Sequence, residues 1–242
     1  MKMIIRPEVM VGHLNKLCFE WDKAGLTLGS NRSCVRQMKG GKVLISWDSE
    51  NIVFKDNEFS SLAEYITLLS CSQYTLVLFD GSLLQLSYTL DRNEVIGHRL
   101  CWYPSPIDVS GVEDIDDIIM RLQTLLVESC DVLEEHITNP NASYPINLKG
   151  IFNRSPLRFD FSVMPDEQKD AHPDVHLHIS HEDCRIPVKT PLCIRMFMRF
   201  IVENFYSNIP VEGVLVNGLP TWDNNEMLTQ HHKGKIHFNY NR

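Results

Sequence analysis

The sequence lacks the long apolar runs that mark membrane and secreted proteins. No stretch approaches the roughly 20 apolar residues that a membrane-spanning helix needs, and the longest run is YTLVLF at residues 74–79. The N-terminal segment MKMIIRPEVMVGH is broken by charged and polar residues, so it does not form the apolar core of a secretory signal. We therefore expect a cytoplasmic protein that does not enter a membrane.

Recognised cysteine and catalytic motifs are also missing. The seven cysteines are odd in number, and no two of them have the C-x-x-C spacing of zinc sites and redox pairs. The sequence contains no P-loop, dinucleotide-binding, serine-hydrolase or zinc-peptidase motif. We interpret the cysteines as reduced, buried side chains that behave as small hydrophobes. The best-marked nucleotide-binding and hydrolytic classes have no support.

Positive charge is not concentrated in any run of the chain. The net charge of −8 arises mainly between residues 101 and 150, where acidic residues cluster at the start of a predicted helix. Carboxylates are favourable there because they face the positive end of the helix dipole. Since duplex nucleic acid is usually bound by a basic face, the composition disfavours nucleic acid as a partner without excluding it.

Apolar residues at helical spacing predict four helices. The first begins at Pro7, where proline suits the first turn of a helix, and ends near Gly25. The second and third follow pairs with the spacing of a capping box, which are Ser61 with Glu64 and Ser110 with Glu113. The fourth is predicted over residues 191–206.

Alternating or continuous apolar residues predict strands in three regions. The first region is KVLISW at residues 42–47, which follows a polar stretch. The second is a three-stranded meander over residues 74–103, in which Asp80 and Gly81 supply a tight hairpin turn. The third comprises LRFDFSV at 157–163, VHLHIS at 175–180 and CRIPV at 184–188, where Pro187 indicates an edge strand.

These elements indicate an α+β fold, in which an antiparallel β-meander and hairpins pack against amphipathic helices. The 242 residues, of which 43% are hydrophobic, are enough to bury a full core. We expect a single domain over residues 1–242, with a weak boundary in the linker NPNASYP at residues 139–145.

Histidines are concentrated in the last third of the chain, above all in HPDVHLHISH at residues 172–181. Strand alternation places His176 and His178 on the face opposite the apolar residues 175, 177 and 179. The preceding strand places Arg158 and Asp160 on its corresponding face, so pairing of the two strands brings Asp160 towards the histidines. This set, His176, His178 and Asp160, is a candidate catalytic and metal site for a divalent ion.

Three interpretations of this histidine face are open. The side chains hold a metal ion, act as general acids and bases, or form an ordinary polar face of an antiparallel sheet, solvated or hydrogen-bonded. We favour the third interpretation, because a polar residue at every second position is what any such face shows. No cofactor is indicated apart from the possible divalent metal.

Arginines supply the remaining candidate binding residues, which are Arg158, Arg185, Arg195 and Arg199. Arg185 lies within CRIPV, and its apolar neighbours predict that it is partly covered. Arg195 and Arg199 form a stripe with Glu203 on the last helix, which offers a site for a phosphate or carboxylate group. An exposed, salt-bridged stripe is the simpler interpretation.

Several segments together resemble a bacterial family catalogued only as domain of unknown function 2290. They are DGSLLQLSY at 80–88, HRLCWYPSP at 98–106, LRFDFS at 157–162, HLHIS at 176–180, CRIPVKTPL at 184–192 and FIVENFY at 200–206. The resemblance implies a single unit and brings no activity, cofactor or catalytic residue. The patchy distribution of such families suggests a part in a mobile-element or phage-defence system.

Two functional hypotheses follow from the sequence. The first is a cytoplasmic binding or accessory module that has no catalysis of its own and whose partner is another protein. The second is a small metal-dependent hydrolase or nuclease that uses His176, His178 and Asp160.

Overall fold

The computed structural model describes residues 3–49, 61–138, 151–152, 154–181, 183–209, 216–222 and 225–239. The helices in these ranges are α1 (Pro7–Lys23), α2 (Ser61–Ser70), α3 (Ile115–Thr138), α4 (Ile194–Phe205) and α5 (Gln230–Lys233). None of these described helices has the length and apolar character needed to cross a membrane. The weak boundary predicted at residues 139–145 lies outside the described residues.

Nine strands of the described residues form one antiparallel sheet, so the predicted α+β class is confirmed. They are β1 (Thr27–Ser30), β2 (Ser33–Gln37), β3 (Val43–Trp47), β4 (Leu76–Leu78), β5 (Leu83–Asp91), β6 (Glu94–Tyr103), β7 (Leu157–Ser162), β8 (Val175–Ile179) and β9 (Ile186–Pro187). Their order is β1-β4-β5-β6-β7-β8-β9, while β3 pairs with the far half of β5 and β2 pairs with β3. Pro187 lies on the edge strand β9, as predicted.

The predicted meander is confirmed as β4, β5 and β6. Its first turn contains Gly81 at a φ of 78°, a conformation that side chains with a Cβ rarely adopt. A Cβ at this position would also lie 2.9 Å from Cγ1 of Val109. Asp80 closes the turn by accepting a hydrogen bond from the Ser82 backbone N–H at 3.0 Å. The Asp80-Gly81 pair therefore suits this hairpin for both steric and hydrogen-bonding reasons.

The two faces of the sheet pack against different helices, because successive strand residues point to opposite sides. On the first face, apolar strand residues pack in one cluster with buried residues of α1 and α4, among them Leu86, Leu100, Phe159, Leu14 and Phe197. On the second face, a smaller cluster joins the sheet to α2 and α3, and it includes Val77, Cys101, Tyr103, Leu69 and Ile118.

The structure corrects two predicted helix starts. Helix α3 begins at Ile115 rather than behind Ser110, whose hydroxyl instead donates to the carboxylate of Asp108. Asp114 accepts the backbone N–H of Asp117 at 2.9 Å, as an N-terminal capping residue does. Helix α4 begins at Ile194, because Cys193 occupies the capping position and its sulfur accepts from the Met196 N–H.

The structure also corrects the strand assignment. The polar stretch before residue 42 contains β1 and β2, whose residues are mostly half-buried or exposed and so lack an apolar pattern. Ile179 was expected on the core face but is exposed at the end of β8. The reason is positional, because the following residue, Ser180, turns the chain away with a φ of 61°.

His98 on β6 connects two strands to the segment before α4. Its Nδ1 lies 3.3 Å from the carbonyl oxygen of Phe159, and its Nε2 accepts from the Leu192 N–H at 3.0 Å. Because a carbonyl only accepts, Nδ1 carries the proton and the ring is neutral. Burial lowers the pKa of His98 to about 4, so the neutral ring is the form that the fold uses.

We predict that this histidine makes the protein acid-sensitive. The unfolded chain takes up a proton at His98 near pH 6.5, whereas the folded chain resists it down to about pH 4. The free energy of unfolding should therefore fall as the pH falls through that window. In His98→Gln we expect a lower free energy of unfolding at pH 7.5 than in the wild type. The decrease in this free energy between pH 6.5 and 4.5 should be smaller than the wild-type decrease by more than ~1 kcal/mol.

Urea unfolding at several pH values measures this effect. His231→Gln is the matched control, because His231 is exposed, and it should keep the wild-type pH profile. An unchanged pH profile in His98→Gln would show that another group causes any acid sensitivity.

Candidate functional site

Two rows of side chains, polar except for Cys101, cross the second face of the sheet beside the α2 and α3 cluster. Strand register sets the rows. The first row is Ser87, Arg99, Asp160 and His176, and the neighbouring row is Gln85, Cys101, Arg158 and His178. Strands β7 and β8 pair as expected, with Asp160 opposite His176. One candidate ligand atom from each of Asp160, His176 and His178 lies within 4.8 Å of the others.

Asp160 is shared by two arginines. Nε of Arg99 donates to Oδ1 at 3.2 Å, and Nε of Arg158 lies 2.9 Å from Oδ2. Nε2 of His178 lies 3.5 Å from the same Oδ2. Burial alone would raise the pKa of Asp160, but His178 and the two guanidinium groups outweigh it and hold the pKa well below its usual range. We call Arg99, Arg158, Asp160, His176 and His178 the Asp160 network.

The histidines of the network are buried, so of the favoured interpretation, a solvated or hydrogen-bonded polar face, the solvated form is wrong at these positions. His176 and His178 are each only 2% exposed. The segment before β8 turns back onto the strand, and the ring of His172 lies against that of His176 with centroids 4.8 Å apart. Strand alternation shows which residues share a face, but it does not show what else packs on that face.

His176 is held in one tautomer. Its Nδ1 lies 2.9 Å from the carbonyl oxygen of Pro173, so Nδ1 carries the proton and the lone pair is on Nε2. Burial and then the neighbouring His178 lower the pKa of His176 to about 3. At neutral pH the ring is therefore uncharged.

The candidate binding arginines separate into two groups. Arg158 belongs to the Asp160 network, and Arg185 is half-buried, as predicted, with Asp183 at 3.6 Å. Arg185 also affects His172. Burial lowers the pKa of His172, and the positive charge of Arg185 lowers it further. Arg195 and Arg199 are on α4, which packs with the opposite face of the sheet, and the structure does not bring them to the network.

The stripe on α4 is an exposed one. Arg199 donates to Glu203 at 2.6 Å, one helical turn away. Arg195 donates to the side-chain oxygen of Asn217 at 3.1 Å. The simpler of the two interpretations, an exposed salt-bridged stripe, describes these contacts.

A groove lies on the second face of the sheet. Among the described residues, those that line it belong to strands and loops and not to helices. Its volume is about 730 Å³. The less exposed lining residues are Ser87, Thr89, Gly97, Arg99 and Asp160, and the exposed ones include Met38, Lys42, Ser162 and Val163. A Cβ at Gly97 would lie only 3.0 Å from the backbone oxygen of Phe161. Glycine therefore suits this position in the floor of the groove better than a residue with a side chain. We call this feature the sheet groove.

Sequence reasoning missed Arg99, which joins the Asp160 network to the sheet groove. Arg99 lies two and four residues before Cys101 and Tyr103 on β6, so it lies on the same face as they do, which is the second face. Its approach to Asp160 depends on the register between β6 and β7, two strands that more than 50 residues of chain separate. That register has no local signal in the sequence.

The comparisons with known proteins agree with the resemblance noted in the sequence. The chain belongs to the family described as Uncharacterized conserved protein (DUF2290), whose sequence model matches residues 26–240. No match was found among curated proteins or among solved structures. The family description states no activity, so the function is inferred from the geometry of the site.

We predict a strong energetic coupling between Asp160 and Arg158. Asp160→Asn leaves two guanidinium groups without their shared counter-charge, and breaking a buried ion pair typically costs about 3–5 kcal/mol. A double-mutant cycle with Arg158→Gln, measured by urea unfolding, should give a coupling energy above ~1 kcal/mol.

The exposed pair Arg199 and Glu203 provides the matched control for this cycle. The corresponding cycle of Arg199→Gln and Glu203→Gln should give a coupling of about 0.5 kcal/mol or less, as exposed helix pairs do. Equal couplings for the two pairs would contradict a special role for Asp160.

Proposed function

We propose that this family member is a binding module without catalysis of its own and that its ligand occupies the sheet groove. The observation that carries the proposal is the groove itself. Ligand sites are concave, have volumes of roughly 300–1,000 Å³ and combine apolar walls with a few polar groups. The sheet groove has a volume of about 730 Å³, apolar rim residues such as Met38 and Val163, and the Arg99–Asp160 pair in its floor.

The state of the reactive groups supports binding over catalysis. The Asp160 carboxylate contacts two guanidinium groups and has a pKa well below its usual range, so it is a weak base towards a substrate. Burial raises the pKa of the Cys101 thiol, the neighbour of Arg158 in its row, to about 12. A thiol in this state is a poor nucleophile.

We further propose that the ligand is a segment of another protein. The groove is open along the sheet, and its rim exposes apolar side chains at Met38 and Val163. A partner segment that crosses the groove would cover these side chains and contact the polar floor. Such a module suits an accessory subunit of a cytoplasmic assembly, and a mobile-element or phage-defence system remains our hypothesis for that assembly.

Site-specific photo-crosslinking in cells of the source organism tests this function. A photo-crosslinking residue, p-benzoylphenylalanine, replaces either Val163 at the rim of the groove or Val127 on α3. The two valines are a matched pair, being 62% and 63% exposed. We expect a discrete covalent adduct on a denaturing gel from position 163 and none from position 127.

The outcome at the control position decides specificity. Adducts of similar yield from both positions would indicate nonspecific contact, and no adduct from position 163 would indicate that the groove has no protein ligand. Either result contradicts the proposed function.

A metal-dependent hydrolase or nuclease is the second candidate function. It is favoured by the close approach of Asp160, His176 and His178, whose candidate ligand atoms lie within 4.8 Å of one another. The bond from His176 Nδ1 to the Pro173 carbonyl is also typical of metal-binding histidines, because it directs Nε2 towards the metal. A bound cation would, however, have to share Asp160 with two guanidinium groups, which makes this candidate the weaker one.

Metal analysis separates the two candidates. We expect that untagged protein, purified without a chelator, contains far less than one equivalent of any transition metal. Elemental mass spectrometry measures this content. One equivalent in the wild type that is lost in His176→Gln and kept in the exposed-site control His231→Gln would overturn the non-catalytic function in favour of the hydrolase.

A further inference from the structure

We propose that the outer edge of strand β2 is a docking site for an extended segment of a partner protein, which adds to the sheet as a further strand. This surface is separate from the sheet groove, and the inference does not rest on the function proposed for the groove. It rests on the backbone groups of Val35 and Gln37, which point away from the sheet and have no hydrogen-bond partner among the described residues. We call these groups the open edge of β2.

The pairing of β2 with β3 shows which backbone groups face outward. Residues of an antiparallel pair alternate between bonding to the partner strand and pointing away from it. Just beyond the end of β2, the Met38 N–H donates to the Lys42 carbonyl oxygen at 2.8 Å, in continuous register with the strand pair. Even-numbered residues of β2 therefore bond to β3. The backbone N–H and C=O of Val35 and Gln37 consequently point outward.

The fold closes the outward groups at the other end of β2 and leaves these open. The side-chain oxygen of Asn15, on α1, accepts the Ser33 N–H at 2.8 Å. The side-chain nitrogen of Asn15 donates to the Ser33 carbonyl oxygen at 3.4 Å. Across the part of the chain that the structure describes, no comparable contact reaches the outward groups of Val35 and Gln37. The contrast within one strand marks the open edge as a place for another chain.

The open edge is accessible and has an apolar side chain beside it. The Val35 side chain is 38% exposed, and Gln37 is also exposed. Val35 lies opposite Ile45, which belongs to the core cluster of the first face. A segment that pairs with β2 covers Val35 from the side. Because apolar cross-strand pairs stabilise a sheet, we expect an apolar or β-branched residue of the segment opposite Val35.

The spacing of the open groups identifies the ligand as a peptide. Alternate residues of a strand are roughly 6.5 Å apart, and each of them presents one donor beside one acceptor. Another extended backbone repeats a donor and an acceptor at the same interval, whereas the phosphates and bases of a nucleic acid do not. Proteins use this match when they bind a peptide by strand addition, and unpaired strand edges are templates for it.

A partner segment fits this edge better than a second copy of the chain. Because Asn15 occupies the outward groups of Ser33, two antiparallel β2 strands can use both open residues only with Val35 of each opposite Gln37 of the other. That register sets Arg36 of one copy directly against Arg36 of the other, in the type of pair that has the shorter Cα distance. Like charges in that position destabilise a sheet.

Amide hydrogen exchange of the isolated protein, followed by nuclear magnetic resonance, tests whether the edge is open. The protection factors of the Val35 and Gln37 amides should be at least ~10-fold below those of Cys34 and Arg36, which bond to β3. Equal protection at low protein concentration would overturn the inference, because the chain would then cover its own edge. Protection that rises with concentration, together with the mass of a dimer, would overturn it in favour of a second copy.

Photo-crosslinking in cells of the source organism tests the partner. The crosslinking residue p-benzoylphenylalanine replaces Lys39, which is exposed just beyond β2. Val35→Pro and Gln37→Pro each remove one outward N–H, and proline is tolerated on an edge strand where its N–H side faces solvent. Val35→Thr and Gln37→Thr are the matched controls, since threonine keeps the N–H and suits a strand. We expect a discrete adduct with threonine and at least ~5-fold less with proline, because a hydrogen bond to the partner is lost.

The adduct formed without a second substitution gives a further measurement, which does not depend on how the proline variants fold. Hydrogen exchange followed by mass spectrometry should show protection of the Val35 and Gln37 amides in the purified adduct but not in the free protein. Absence of this protection would overturn the inference, as would the absence of any adduct from position 39.

The remaining outcomes separate this inference from the function of the groove. Equal adduct yields in folded proline and threonine variants would overturn strand addition and leave the groove function standing, because Lys39 is next to the groove residue Met38. An adduct with twice the mass of the chain would overturn the partner segment in favour of a second copy.

Discussion

The polar part of the second face depends on one interaction, the contact of the Asp160 carboxylate with two arginines. The carboxylate joins Arg99 on β6 and Arg158 on its own strand β7, and it lies opposite His176 on β8. A guanidinium as buried as that of Arg158 is tolerated in a sheet face only with a counter-charge beside it. The carboxylate therefore links the register of three strands to the placement of buried charge.

The same interaction determines what the second face can do. Apolar residues and helices α2 and α3 cover one part of this face, and the Asp160 network and the sheet groove occupy the other. Because Asp160 is engaged by arginines and His176 is neutral, the network stabilises the floor of the groove and has weak acid–base character. On the proposed function, a preformed floor favours binding, since little needs to be reorganised when the ligand arrives.

The sequence predicted the features that have a local signal. The alternation in β5, β7 and β8 and the Asp80-Gly81 turn define the meander, the paired strands and the face shared by Asp160 and the histidines. Three features have no such signal. Strands β1 and β2 lack an apolar pattern, the burial of His176 depends on the segment that folds back onto it, and the position of Arg99 depends on a long-range register.

The shared carboxylate predicts an unusually low pKa for Asp160, which carbon-detected magnetic resonance of the side-chain carboxyl group can measure. We expect Asp160 to stay ionised from pH 7 down to pH 4, with no inflection, because His178 and two guanidinium groups stabilise its charged form. An Asp160 carboxyl that titrates at or above its ordinary value of 3.8 would contradict the account.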